Sequence, residues 1–155
     1  MSVYTAPSLT YAKPLMNKTT PGIQNLSRRL IAIEADNCSP DKLASITARA
    51  CDKLRGPIAK LVGVVGFHSL LSRALMMAKA EIPPQYVVQA KLDGTFNGLD
   101  GIDRIEDAAV GVVIVAKMLG LLNIFIGEPL MLLLVRDAWP DTVIDETILR
   151  DKGQS

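Results

Sequence analysis

The stretch AAVGVVIVAKMLGLLNIFIGEPLMLLLV, Ala108 to Val135, decides how this chain folds. It carries only two charges, Lys117 and Glu128, among apolar residues that fall on every helical face. A helix with one polar face can sit at a surface, but one that is apolar all round must be covered completely. The cover is the rest of the domain, a second copy, a partner protein or lipid. That choice governs what the chain can do.

The two charges sharpen the question, because an unpaired buried charge is prohibitive. Lys117 and Glu128 stand about 16 Å apart along a continuous helix, too far to neutralise each other unless the chain folds back at Gly127. Arg73, or a group from another copy, is the natural partner for Glu128. Arg73, Lys117, Asn123, Glu128 and Trp139 are therefore the candidate buried polar and interaction residues. The run is also long enough to span a bilayer, which takes about 20 apolar residues. A central Lys opposes insertion by roughly 2.5–3.5 kcal/mol, though a row of Leu, Ile, Val and Phe can outweigh it. The flank argues against a span: Asp100, Asp103, Glu106 and Asp107 precede the run where basic anchors would be expected. A membrane-active protein inserting 108–135 is the alternative to a buried helix or helical hairpin.

Composition sets the outer bounds. At 155 residues the chain is one ordinary domain, and 49% hydrophobic against 21% charged residues leaves little polar surface for a monomer. Net charge is +1, so no global field draws the chain to nucleic acid or anionic lipid. The charge is uneven, however. Residues 1–60 hold nine Lys/Arg against four Asp/Glu, and the remainder is net acidic. Cys38 and Cys51 are thirteen apart with no CxxC and a single His in the chain, so neither a disulfide framework nor a metal site is indicated. Two ordinary thiols suit a reducing, cytoplasmic location. The N-terminus lacks an apolar h-region, and Ser2 stands where N-myristoylation needs Gly.

Outward from the run, the punctuation predicts helices. Residues 1–19 read as a flexible arm. Thr20-Pro21 reads as a cap with Pro at the first helical position, and Ile23, Leu26, Leu30 and Ile33 give a stripe that ends near Asp36-Asn37. Ser39-Pro40-Asp41 repeats that start signal for a second helix to about Arg55. Gly56-Pro57 predicts a break, and a third helix then runs to Ala78, weakened by Gly63 and Gly66 and closed by Ile82-Pro83-Pro84. Val87–Leu92, Asp93-Gly94 and Thr95–Leu99 form the strongest hairpin signal in the chain. Glu106 and Asp107 place acids at the start of the apolar run, Gly127-Glu128-Pro129 kinks or splits it, and Asp141 opens a short last helix through Leu149.

Motifs for chemistry are sparse. His68 lacks the neighbours of phosphotransfer histidines, and with one His no triad can form without it. Aligning Asp93 as position 1 of a calcium loop places Asn97 and Gly98 suitably, but position 12 falls on Arg104, where a bidentate Glu is needed. No phosphate-binding glycine loop, GxSxG or HExxH occurs. Lys42, Arg49 and Lys53, with Arg28, Arg29, Arg55 and Lys60 nearby, form a basic face. Asp41 and Asp52 interrupt it and no aromatics interleave, which leaves a nucleic-acid-binding helical protein, using this face of the first two helices, as the lesser alternative.

The sequence thus predicts a mainly α fold: a compact bundle of five to six helices with one inserted β-hairpin at about residues 87–99. Residues 20–150 form a single helical domain and 151–155 a polar tail. The function it favours is a non-enzymatic, cytoplasmic interaction or regulatory protein without a cofactor. Such a protein would dock a protein partner or form a homo-oligomer through an apolar helical face.

Overall fold

The computed structural model describes residues 20–37, 45–86, 88–91, 96–98 and 102–144. The expected flexible arm and polar tail lie outside them. Among the described residues there are four helices: α1 (Pro21–Asn37), α2 (Ile46–Ala78), α3 (Arg104–Ile126) and α4 (Glu128–Ala138). Helix α1 starts as its cap predicts, with Thr20 Oγ1 accepting from the Ile23 amide at 3.2 Å.

The expected bundle of five to six helices with a β-hairpin over 87–99 is corrected on three counts. First, the chain does not break at Gly56-Pro57. Pro57 removes one intrahelical bond, but Leu54 and Ile58 on either side are fully buried and hold the axis. The break comes instead at Gly63, whose φ of 82° and ψ of 167° no helix accommodates. Second, among the described residues between α2 and α3 the pairing is two residues a side, Gln89 with Asn97 and Ala90 with Phe96, which is no β-hairpin of the expected extent. Third, Asp141–Ile144 are not helical, and the rest of the expected last helix lies outside the described residues. The predicted start at Ser39-Pro40-Asp41 also lies outside them. The described helix begins at Ile46 with Ser45 as its cap, the Ser45 hydroxyl accepting from the Ala48 amide at 3.2 Å.

The contacts show that α2 is a hairpin. Its first residues bind Asp107 on α3, and Glu81, just past its far end, meets Lys117 on the same helix and borders a groove with Ala108. A straight helix of that length would carry Glu81 about 50 Å away from Ile46. The chain therefore reverses at Gly63. Gly127, with φ 86° and ψ 162°, makes an equivalent corner between α3 and α4.

Both corners point to the same end of the molecule. Helix α3 and the first arm of α2 start together at Asp107 and Ile46 and touch again where Cys51 Sγ lies 4.0 Å from Met118 Sδ. Twelve residues on lies Gly63, and nine residues beyond Met118 lies Gly127. Helix α4 then returns to bring Trp139 beside Lys53.

The apolar run is thus covered mainly by its own domain. Helix α3 runs through the centre with Ile114, Val115, Ala116, Met118 and Leu119 fully buried, packed by α1, both arms of α2 and α4. One close approach is at Gly111, where an added Cβ would stand 2.7 Å from Thr47 Oγ1 and 2.8 Å from Ile31 Cδ1. A mid-helix Gly→Ala change ordinarily gains up to about 1 kcal/mol from propensity, while overpacking costs about 1–3 kcal/mol. Gly111→Ala should therefore be net destabilising by about 1–2 kcal/mol in urea unfolding. A variant as stable as wild type would show that α1, α2 and α3 do not meet there.

Candidate functional site

The five residues singled out from the sequence do not form one site. Lys117 is 3% exposed and carries the partner that its burial demands, Glu81, at 2.6 Å. Asn123 is half-buried, and its backbone carbonyl accepts from the Gly127 amide at 3.0 Å. Glu128 is half-buried in the first turn of α4. Arg73 is exposed on the second arm of α2, and no ion pair joins it to Glu128 among the described residues. The break at Gly127 places Glu128 at a helix start rather than inside an unbroken apolar helix.

Trp139 leads to a cluster that sequence reasoning missed. Its indole Nε1–H donates to Glu34 Oε2 at 3.0 Å. Glu34 is wholly buried, yet Arg49 Nε stands 3.3 Å from its Oε1 and Lys53 Nζ forms an ion pair with its Oε2. The Arg49 contact is an ion pair without hydrogen-bond alignment, since neither of those two atoms has a hydrogen-bond partner. Lys53 also lies 5.8 Å from the centre of the Trp139 ring, within cation–π range. The signal was present in α1: Leu26, Leu30 and Glu34 follow at spacings of four, so Glu34 extends the buried stripe. This cluster ties α1, α2 and the end of α4 together, and it consumes part of the basic face read from the sequence.

A second carboxylate, Asp107, acts away from its own helix. Its Oδ2 accepts from the Ile46 amide at 2.7 Å, and its Oδ1 accepts from the Ser45 hydroxyl at 2.8 Å, the Thr47 hydroxyl at 2.8 Å and the Thr47 amide at 3.2 Å. It caps the free amides at the start of α2.

Cys51 is fully buried, and that burial, reinforced by Asp52, pushes its thiol up to about 12, so it stays protonated at neutral pH. Among the described residues no three His, Cys, Asp or Glu side chains converge to hold a metal. An open groove of about 570 Å³ between α1 and α3 is floored by Ile31, Ala32, Val112 and Val113. Its rim charges are engaged elsewhere: Arg28 bonds Asn25 Oδ1 at 3.1 Å and Glu81 holds Lys117. Half of the calcium-loop alignment, Asp93 included, falls outside the described residues.

What stands out is the end of the molecule that bears the two glycine corners. Leu61, Val62, Val64 and Val65 flank Gly63 and are all exposed, Val65 to 80%. Ile124 and Phe125 precede Gly127 and are exposed to 58% and 65%. By length and composition α3, and α2 counted through its Gly63 corner, are apolar enough to cross a membrane, a test that a buried core helix also passes. No family model matches this chain, and neither a curated protein nor a solved structure matches it.

The Glu34 cluster makes a checkable demand. Glu34→Ala would remove the shared acceptor of two part-exposed cations and leave the indole N–H unpaired, so it should cost about 1–3 kcal/mol. Fluorescence of Trp139, the chain's single tryptophan, reads the loss directly during urea unfolding. A cost below about 0.5 kcal/mol would make the cluster incidental to the fold.

Proposed function

We propose that this chain is a non-enzymatic interaction protein that docks through the apolar end carrying the Gly63 and Gly127 corners. The observation behind this reading is the exposure of Leu61, Val62, Val64 and Val65 beside Ile124 and Phe125 at one end. Single exposed apolar residues are ordinary, but a contiguous group is costly in water and marks a surface that another body covers.

The reading moves the docking surface away from most of 108–135, whose side chains are largely taken up by the domain's own core. Only its middle, around the Gly127 corner, joins the exposed end. The buried charges support the same assignment. Glu34, Asp107 and Lys117 each have partners that brace helices, which is how a scaffold uses them.

In water the uncovered end should pair with copies of itself. The wild-type chain should scatter light as a species heavier than a monomer at micromolar concentration and bind a hydrophobic dye. Val65→Asp with Phe125→Asp should give a monomer with weak dye binding, at an unchanged melting temperature, because both positions are exposed. A wild type equal to that variant in mass and dye binding would overturn the proposal.

A further inference from the structure

The corner at Gly63 belongs to a segment of unusual charge. From Lys53 to Ala80 the sequence contains no Asp or Glu, and it contains Lys53, Arg55, Lys60, Arg73 and Lys79. Lys53 is committed to Glu34 and Arg55 pairs with Asp52, but Lys60, Arg73 and Lys79 are exposed. Lys60 lies three residues from Gly63, and Arg73 ten residues from it, about 15 Å down the second arm. The hairpin thus has an apolar tip and, behind it, a basic collar.

The shape of the tip selects its occupant. Residues 61 and 62 precede Gly63 and residues 64 and 65 follow it, one pair on each arm, and all four are exposed. A flat patch on a second copy would cover one side and leave the others wet. Hydrocarbon surrounds a tip from every side. In the apolar stretch of α2 33% of the residues are buried within the chain, against 56% in α3, and Leu61, Val62, Val64 and Val65 are four exposed large apolar side chains within five positions. Phe125, at the neighbouring corner, adds an aromatic of the kind that settles at a bilayer interface. Glu128, on that corner, is half-buried in the first turn of α4, where the helix dipole offsets its charge.

We infer that the Gly63 hairpin is a peripheral membrane-docking element: Leu61, Val62, Val64 and Val65 enter the interfacial region of an anionic bilayer while Lys60 and Arg73 contact its phosphates. The inference rests on the docking reading above and names the surface that the apolar end meets. The apolar tip supplies depth, and the collar supplies preference for negative headgroups, at about five-fold in partitioning per cation.

Flotation of the full chain tests it, with vesicles of equal phosphatidylglycerol and phosphatidylcholine against pure phosphatidylcholine. The wild type should float with the anionic vesicles at least about 25-fold more strongly than with the neutral ones, and added salt should release it. Lys60→Glu with Arg73→Glu should abolish flotation and keep dye binding and self-association, since the tip is intact. Val65→Asp should weaken flotation and dye binding together. Self-association without flotation on either vesicle would overturn the lipid inference and leave the docking reading standing. Equal flotation on both vesicles would overturn it too, because the collar would then contribute nothing.

Discussion

The carboxylate of Asp107 is the constraint on which the rest of the structure depends. It sits in the first turn of α3, yet its oxygens accept four hydrogen bonds from Ser45, Ile46 and Thr47 at the start of α2. The orphan amides of a helix N-terminus need acceptors, and a charged acceptor from another helix fixes position as well as satisfying them. Because Gly111 follows one turn later, α1 and α2 can close on α3 at van der Waals distance. From that fixed point the first arm of α2 and the whole of α3 run side by side, and both must turn back when they outgrow the core.

The turns are where the fold leaves apolar matter uncovered. Gly63 and Gly127 reverse the chain with a single residue in a positive-φ conformation that favours glycine. A reversal this tight offers no room for a polar loop, so the residues beside each glycine remain those of the helices, Val62 and Val64 at one corner and Phe125 and Ile126 at the other. One end of the molecule is therefore pinned by a buried acid, and at the other both corners are flanked by exposed apolar side chains. The buried charges fall along the body between them: Lys117 against Glu81, and Glu34 among Arg49, Lys53 and Trp139.

Much of this was legible locally and little of it at long range. Thr20-Pro21 announces α1, Ile82-Pro83 lies just past the end of the second arm of α2, and Gly127 divides the apolar run, because caps and positive φ are set by the residues themselves. Lys117 could be recognised as needing an anion, but not that Glu81, thirty-six residues earlier, supplies it. Asp107 read as an acid placed for its own helix dipole; that its carboxylate serves α2 is a fact of packing, invisible in spacing. Gly56-Pro57 misled because burial of Leu54 and Ile58 outweighs one lost backbone bond. Gly63 was visible only as a weak point within a helix, although it is where the chain reverses.

The pairing of Asp107 with the start of α2 is the most direct point of attack. A double-mutant cycle between Asp107→Ala and Thr47→Val, followed by urea unfolding, isolates the coupling of that carboxylate to one of its donors. Hydrogen bonds to a charged group contribute about 1.5–3 kcal/mol, so a coupling of that size is predicted. A coupling indistinguishable from zero would contradict the Thr47–Asp107 side-chain contact through which α3 is said to hold the start of α2.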